Sequence, residues 1–281
     1  MTDNLDYLRE WVGKKEVRSD TIQSWPVSAL AATLDERDVS VEPGKPLPQG
    51  WHWLFFLEAK PASELGADGH PLRGGFLPPV PLPRRMWAGG RIEFVRPIAI
   101  GAAVTRESEI ISVEPKSGRS GTLVFVTVRH TVGATGVTSI VEEQDIVYRE
   151  AAKKGDPLPP GKQAPTEAAW TRCVMPDAVM LFRYSALTFN GHRIHYDKDY
   201  SINEEHYPGL VVHGPMQATL LLDLCRSQGR VVKKFEYRAL HPMFGDHAFT
   251  VNGNIDADAS KAELWTANDA GNYAMRATAS F

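Results

Sequence analysis

Pro215-Met216-Gln217-Ala218-Thr219-Leu220-Leu221-Leu222-Asp223-Leu224-Cys225-Arg226-Ser227-Gln228, closed by Gly229, is the stretch on which the fold turns. Proline suits the first helical position and glycine the residue past the end, so the pattern predicts a helix over 215–228. Met216, Thr219, Leu220, Asp223 and Leu224 follow helical spacing, yet Leu221, Leu222 and Cys225 are apolar as well. A helix apolar almost all round is buried almost all round. Four strand-like runs follow it, at about 231–240, 246–256, 261–268 and 272–281. A buried helix followed by four strands implies a sheet wrapped around that helix.

Working upstream, the same pattern recurs. Thr122 to Val132 is rich in β-branched residues, Gly133-Ala134-Thr135-Gly136 breaks it, and Val137 to Tyr148 resumes as a strand. Ala262 to Ala267, the turn Asn268 to Gly271 and Asn272 to Phe281 repeat that hairpin in the second half. Each hairpin is preceded by a strand that stops at proline and restarts after glycine, Arg91 to Gly101 and Phe235 to Gly245. This weak internal repeat points to a duplicated β-rich unit. Between the copies, Ala151 to Pro165 holds four prolines and two glycines in fifteen residues, which suits an exposed linker. The expected division is 1–150, a linker at 151–165, and 166–281. One further helix is expected over Pro26–Asp35, with Ser24 as its cap.

Composition narrows the class. With 43% hydrophobic and 23% charged residues the chain reads as an ordinary globular protein. A formal net charge of −3 gives no reason to expect nucleic acid or an anionic membrane as partner. Two cysteines, Cys173 and Cys225, make neither a disulfide framework nor a thiolate metal site. No apolar run is long enough to span a membrane, and no apolar signal segment opens the chain. Asp3, Asp6 and Glu10 lie where organelle-targeting segments avoid acids. A cytoplasmic protein is therefore expected.

The chemistry gathers just before the long helix. Leu187-Thr188-Phe189-Asn190-Gly191-His192-Arg193-Ile194-His195-Tyr196-Asp197 puts a carboxamide and two imidazoles in one short loop. Leu210-Val211-Val212-His213-Gly214-Pro215 then adds a third imidazole and opens the helix. That arrangement suits acid/base work beside a carbonyl whose developing negative charge must be stabilised.

These two segments resemble the signature of the MaoC-like, (R)-specific enoyl-thioester hydratases and dehydratases. That signature runs Ser/Thr-Gly-Asp-x-Asn-Pro-Leu/Ile-His, then an acidic residue, then Ala-His-Gly at a helix start. Thr188 to His195 occupies the first block here, Asp197 follows, and Val212-His213-Gly214 occupies the second. Asn190 stands where the family has aspartate, and His192-Arg193 where it has Asn-Pro. This version is similar to a narrower branch, which holds mesaconyl-C4-CoA and itaconyl-CoA hydratases and mitochondrial-type 3-hydroxyacyl-thioester dehydratases. Gly50 to Leu57 and Met86-Trp87-Ala88-Gly89-Gly90 also look like that branch.

The resemblance implies an α+β double hot-dog, with a degenerate first unit and the active loop in the second. It implies a hydro-lyase acting on an acyl-CoA thioester, without a cofactor beyond the CoA of the substrate. His195 is then the base that moves the proton. Asn190 orients the water or leaving hydroxyl, since a carboxamide can donate and accept but not carry a proton. The Gly214 N–H, ahead of Pro215, is free to meet the thioester oxygen with the positive helix end behind it. His192 and His213 are expected to support by hydrogen bonding. Arg193, Arg84 and Arg85 are candidate partners for a substrate carboxylate, because an arginine fork matches one geometrically. A short branched dicarboxylic substrate hydrated to citramalyl-CoA is the first expectation.

Four other readings compete. A dehydratase for fatty 3-hydroxyacyl thioesters, on CoA or acyl-carrier protein, would need a long apolar tunnel. A hot-dog thioesterase would need a carboxyl near the thioester, for which the helix offers only Gln217 and, two turns in, Asp223. A non-catalytic thioester-binding protein stays open because Asn190 replaces the acid. A metal site could draw on His192, His195, Asp197, His206 and His213, but their spacing matches no common zinc signature, so no metal is expected. The sheet edges of two hot-dog units make a homodimer plausible.

Overall fold

The computed structural model of the chain describes residues 5–118, 121–152, 155, 157–158 and 160–281. Asp3 and parts of the expected linker, at 153, 154, 156 and 159, therefore fall outside the described residues. Among the described residues the strands are β1 (Lys15–Thr21), β2 (Arg84–Phe94), β3 (Ala103–Gly118), β4 (Gly121–Ala134) and β5 (Val137–Arg149). They continue as β6 (Trp170–Val174), β7 (Lys234–Ala239), β8 (Phe249–Ile255), β9 (Lys261–Ala267) and β10 (Tyr273–Ser280). The helices are α1 (Ser24–Leu34), α2 (Ala178–Leu187), α3 (Lys198–Asn203) and α4 (Gly214–Ser227).

All ten strands form one sheet in the order β1-β3-β4-β5-β2-β7-β10-β9-β8-β6. From one end the order is 1-3-4-5-2 and from the other 6-8-9-10-7, so the two halves repeat the same topology. They meet where β2 pairs antiparallel with β7, from Gly89↔Arg238 to Glu93↔Lys234. Both hairpins fall where the sequence places them. β2 and β7 stop ahead of Pro97 and Pro242 as expected, but β2 begins already at Arg84, and between proline and glycine only isolated bridges form, at Ala99 and Phe244. One hydrophobic core runs through both halves, from Ile22, Leu30 and Ile92 to Leu220, Phe249 and Ala277.

α4 is the predicted helix, begun and ended one residue earlier than expected. Met216 through Cys225 are all buried, with β8, β9, β10 and β6 around them. Its polar side chains are satisfied inside the core, as burial demands. Gln217 Oε1 accepts from the Thr266 hydroxyl at 2.7 Å, and the Asp223 carboxyl accepts from Trp51 Nε1 at 3.2 and 3.3 Å.

Among the described residues the first half has no such helix between α1 and β2. The segment Trp51–Leu54 there is a single 3-10 turn, packed against α4 through the Trp51–Asp223 bond. It is pinned to β5 by Glu142, whose carboxylate accepts from Trp53 Nε1 at 2.9 Å and meets His52 Nε2 at 2.9 Å. Burial opposes that charge, but hydrogen bonds from His52 and Gln144 and the charge of His52 and His130 together outweigh it and hold the Glu142 carboxyl at about 2. His52 and His130 are thus structural, the latter bonded through Nδ1 to Ser108. Cys173 is exposed and Cys225 buried, both as free thiols. No helix among the described residues is long and apolar enough to cross a membrane.

Asp223 gives a pH-dependent prediction. Burial lifts its carboxyl to about 7, against the opposing pull of Arg226. An unfolded aspartate titrates near about 3.9. The folded chain thus holds an extra proton between roughly pH 4 and 7, and stability falls as pH rises through that window. A carboxamide in its place cannot ionise but still accepts from Trp51. Thermal melts of Asp223→Asn and wild type at pH 5 and 8 should show the variant gaining several degrees relative to wild type at the higher pH. An unchanged difference would remove this account.

Candidate active site

The loop that carries Asn190, His192 and His195 is built from the end of α2. Asp177 caps that helix by accepting from the Met180 N–H at 2.7 Å. Past Leu187 the chain turns through Phe189 at φ 49°, and the Asn190 N–H returns to the Ser185 carbonyl at 2.8 Å. Asn190 Oδ1 then accepts from the His192 N–H at 3.0 Å, an Asx turn. A 3-10 turn over Arg193–His195 follows, and Asp197 caps α3 by accepting from the Tyr200 N–H at 3.0 Å.

The Val211 N–H donates to the Ile194 carbonyl at 2.9 Å, which brings the segment before α4 under His195. His195 Nδ1 lies 2.7 Å from the Val211 carbonyl oxygen. A carbonyl only accepts, so Nδ1 carries the proton and Nε2 is the bare nitrogen. Burial pushes the ring down to about 4, so it is neutral at pH 7 with the Nε2 lone pair free. His213 stacks on it at 3.7 Å between ring centres and 19° between planes, with its own Nε2 2.8 Å from Ser185 Oγ. Burial drives His213 well below the ordinary imidazole range. His192 meets His195 edge-on at 5.5 Å.

Gly214 is the first residue of α4, and among the described residues its N–H has no backbone acceptor. Trp87 of β2 lies directly over it, since a Cβ at position 214 would stand 3.2 Å from Trp87 Cε3. Trp87 in turn packs on Trp53 at 5.3 Å and on Tyr237 at 4.8 Å. The first half therefore supplies an aromatic wall beside the helix start.

The first half also supplies a loop that sequence reasoning missed. Asp68 and Gly69 lie against the 190–195 loop by backbone. The Arg193 N–H donates to the Asp68 carbonyl at 2.9 Å, and Arg193 Nη1 to the Ala67 carbonyl at 3.0 Å. Asp68 Oδ2 accepts from His70 Nδ1 at 2.9 Å, and the His70 and His192 rings lie 4.2 Å apart. Burial raises the Asp68 carboxyl, but the His70 hydrogen bond and charge pull it net below the carboxylate range. Burial lowers both His70 and His192. Nothing local in Gly66-Ala67-Asp68-Gly69-His70 announces this role, because the contact joins residues more than a hundred positions apart.

Among the described residues, Asp68, His70 and His192 bring ligand-capable atoms within 4.8 Å of one another. Asp68 and His70 are already spent on each other. The metal set weighed from sequence does not converge here, since Asp197 turns to Arg193 and His195 Nδ1 is tied to a carbonyl. The three candidate arginines are also divided. Arg84 is buried, ion-paired to Glu205 at 2.7 Å and bonded to the Tyr207 hydroxyl. Arg193 is bound by Asp197 at 3.0 and 2.8 Å and lies over the Tyr200 ring. Arg85 sits across from Tyr148 in the β2–β5 register, and its charge acts on His70 and His192.

Comparison with known proteins shows the family. A family model described as hydroxyacyl-thioester dehydratase type 2 matches residues 50–245. The mesaconyl-C(4)-CoA hydratase of Chloroflexus aurantiacus is 47% identical over 266 residues, covering 92% of this chain and 94% of that protein. The mitochondrial hydroxyacyl-thioester dehydratase type 2 of Schizosaccharomyces pombe is 27% identical over 293 residues, covering 89% of this chain and 95% of its own. The solved structure of HtdX from Mycobacterium tuberculosis aligns with a TM-score of 0.65 at 17% identity, over 95% of this chain and 98% of that one. A second Mycobacterium tuberculosis structure, described as a double hot-dog fold, aligns with a TM-score of 0.57 at 14% identity, over 96% of both chains. The fold is a double hot-dog, and the matches are those of a hydro-lyase. The chain belongs to the hydroxyacyl-thioester dehydratase type 2 family.

Proposed function

We propose that this enzyme reversibly adds water across the double bond of a 2-enoyl-CoA, with mesaconyl-C4-CoA as substrate and citramalyl-CoA as product. The observation that carries this is the tautomer of His195, bare at Nε2 beside an unpaired helix-start amide. The 47% identity to a hydratase named for that substrate supports the acyl group.

In the forward direction His195 Nε2 takes a proton from water, and the water oxygen bonds to Cβ. The Cα=Cβ pair shifts towards C1, and the thioester oxygen becomes an enolate oxygen held by the Gly214 N–H. His195 then returns its proton to Cα from the same face, as the enolate collapses to the thioester. One base thus serves both steps. Asn190 Oδ1 is engaged with the His192 N–H, so Asn190 Nδ2 remains to hold the water oxygen. His213 supports the His195 ring from behind. No cofactor beyond the CoA of the substrate enters these steps.

The identity to a 3-hydroxyacyl-thioester dehydratase favours the second reading, dehydration of a longer chain. The wall of Trp53, Trp87 and Tyr237 favours a short acyl group. The thioesterase reading finds no free carboxyl on α4, since Asp223 is tied to Trp51 and Arg226, and Gln217 to Thr266. A hydration screen followed at the enoyl absorbance tests the proposal, using crotonyl-, mesaconyl-C4-, itaconyl- and C8 enoyl-CoA. Mesaconyl-C4-CoA should turn over fastest, and good turnover at C8 would overturn it. We place the enzyme in the cytosol, consistent with two free thiols, and as a homodimer through the exposed side chains of Trp25, Met175, Val179 and Phe182. Gel filtration with light scattering checks the latter.

A further inference from the structure

We propose that Arg85 is the specificity-determining residue of the site, binding the free carboxylate that the substrate carries on Cβ. The inference rests on the hydratase reading above and assigns to the first half the task of choosing the acyl group.

Strand geometry places it. Arg85 and Trp87 are two residues apart on β2, in regular register with Tyr148 and Ile146, ahead of the bulge at Trp87/Gly89. Side chains two apart on a strand share a face, separated by about 7 Å along it. Trp87 abuts Gly214, where the thioester oxygen docks. Arg85 is therefore displaced by one side-chain step from the carbonyl end, towards His192 and His70. The thioester carbon and the carboxylate carbon of mesaconyl-C4-CoA lie at the two ends of a four-carbon chain, shorter than that step, and the reach of the Arg85 guanidinium covers the rest. Arg84, one residue away, faces oppositely and is taken by Glu205.

Charge points the same way. Arg73 is committed to the backbone carbonyls of Val80, Leu82 and Pro83, and Asp68 to His70. Arg73 and Arg85 against Asp68 leave at least one positive charge unmatched. A substrate carboxylate supplies the missing negative charge. A polar atom lies beside Arg85: the buried Tyr148 hydroxyl is within the reach of its side chain, which favours the ionised phenol by hydrogen bonding and charge, and the hydroxyl's own proton has no acceptor among the described residues. An Arg fork and a phenol hydroxyl together suit a carboxylate better than either does alone.

The test compares kcat/KM for mesaconyl-C4-CoA and crotonyl-CoA, which lacks the carboxylate, in wild type, Arg85→Met and Arg85→Lys. The ratio of the two substrates is internal to each variant, so partial loss of folded enzyme cancels. The mesaconyl-to-crotonyl ratio should fall by about 10²-fold in Arg85→Met, the scale for stripping one partner from a desolvated ion pair. Arg85→Lys should recover part of it, keeping the charge and losing the fork. An unchanged ratio in Arg85→Met, whether or not both rates fall, overturns the assignment and leaves the hydratase reading standing. A wild type that prefers crotonyl-CoA overturns both.

Discussion

Replacing His195 with glutamine is expected to lower kcat for hydration by about 10²- to 10⁴-fold, the usual contribution of a positioned general base. The expectation follows from one contact. The Val211 carbonyl fixes the proton on Nδ1 at 2.7 Å and so dedicates Nε2 to the reaction. Glutamine can still donate to that carbonyl, so the loop keeps its anchor while the proton carrier is lost. Asn190 cannot take over, because no carboxamide holds a proton at neutral pH. The pH profile carries a second signature. Burial sets the ring near 4, and Nε2 must be unprotonated to act. Wild-type kcat/KM should therefore stay level down to about pH 5 and fall as pH drops through 4, well below the ordinary histidine range near about 6.5. His195→Gln should lose that limb. Stopped assays across pH 4–8 with a thermal melt of each variant decide it, and wild-type turnover in the variant would remove His195 from the chemistry.

Much of this is legible in the amino-acid sequence. The near-continuous apolar character of 216–225 marks α4 as a buried helix, and the β-branched runs broken at 133–136 and 268–271 mark both hairpins. These signals are local, a period and a turn. The pairing of β2 with β7 is not local, and neither is the insertion of β3 between β1 and β4. The degenerate first half can be recognised by resemblance, but not the 3-10 turn at Trp51–Leu54 that packs against α4 there. His195, His213 and Gly214 can be named because they sit within one short stretch. Asp68 and His70 cannot, since their motif is an ordinary turn and their partners lie in the other half. Arg84 and Arg85 look equivalent in sequence. Only the parity of β2 separates a guanidinium spent on Glu205 from one beside the histidines. Asp197, which reads as a motif acid, is the α3 cap and the partner of Arg193.

Gly69→Ala is the variant in which this long-range assembly should fail most sharply. Gly69 has φ +85°, and a Cβ there would stand 1.9 Å from the Gly191 carbonyl oxygen. The left-handed backbone alone costs an L-residue about 1–2 kcal/mol. The collision is with backbone on both sides, so no side-chain rotation relieves it, and overpacking of this kind adds roughly 1–3 kcal/mol more. The loop must lift, and the Arg193–Asp68 and Arg193–Ala67 bonds stretch with it. His192 then loses the His70 ring that backs it, and the turn carrying His195 loses its outer support. A displacement near 1 Å at reacting groups is worth about 10²-fold in rate, so kcat should fall by that factor or more. Gly74→Ala separates strain from position. Its φ is +92°, but its Cβ would meet only Pro79 Cβ at an ordinary 3.6 Å. It should show the backbone penalty in a thermal melt without the collapse in kcat. If Gly69→Ala instead turns over like Gly74→Ala, the two halves are joined there for stability alone, and the catalytic loop of the second half stands without the first.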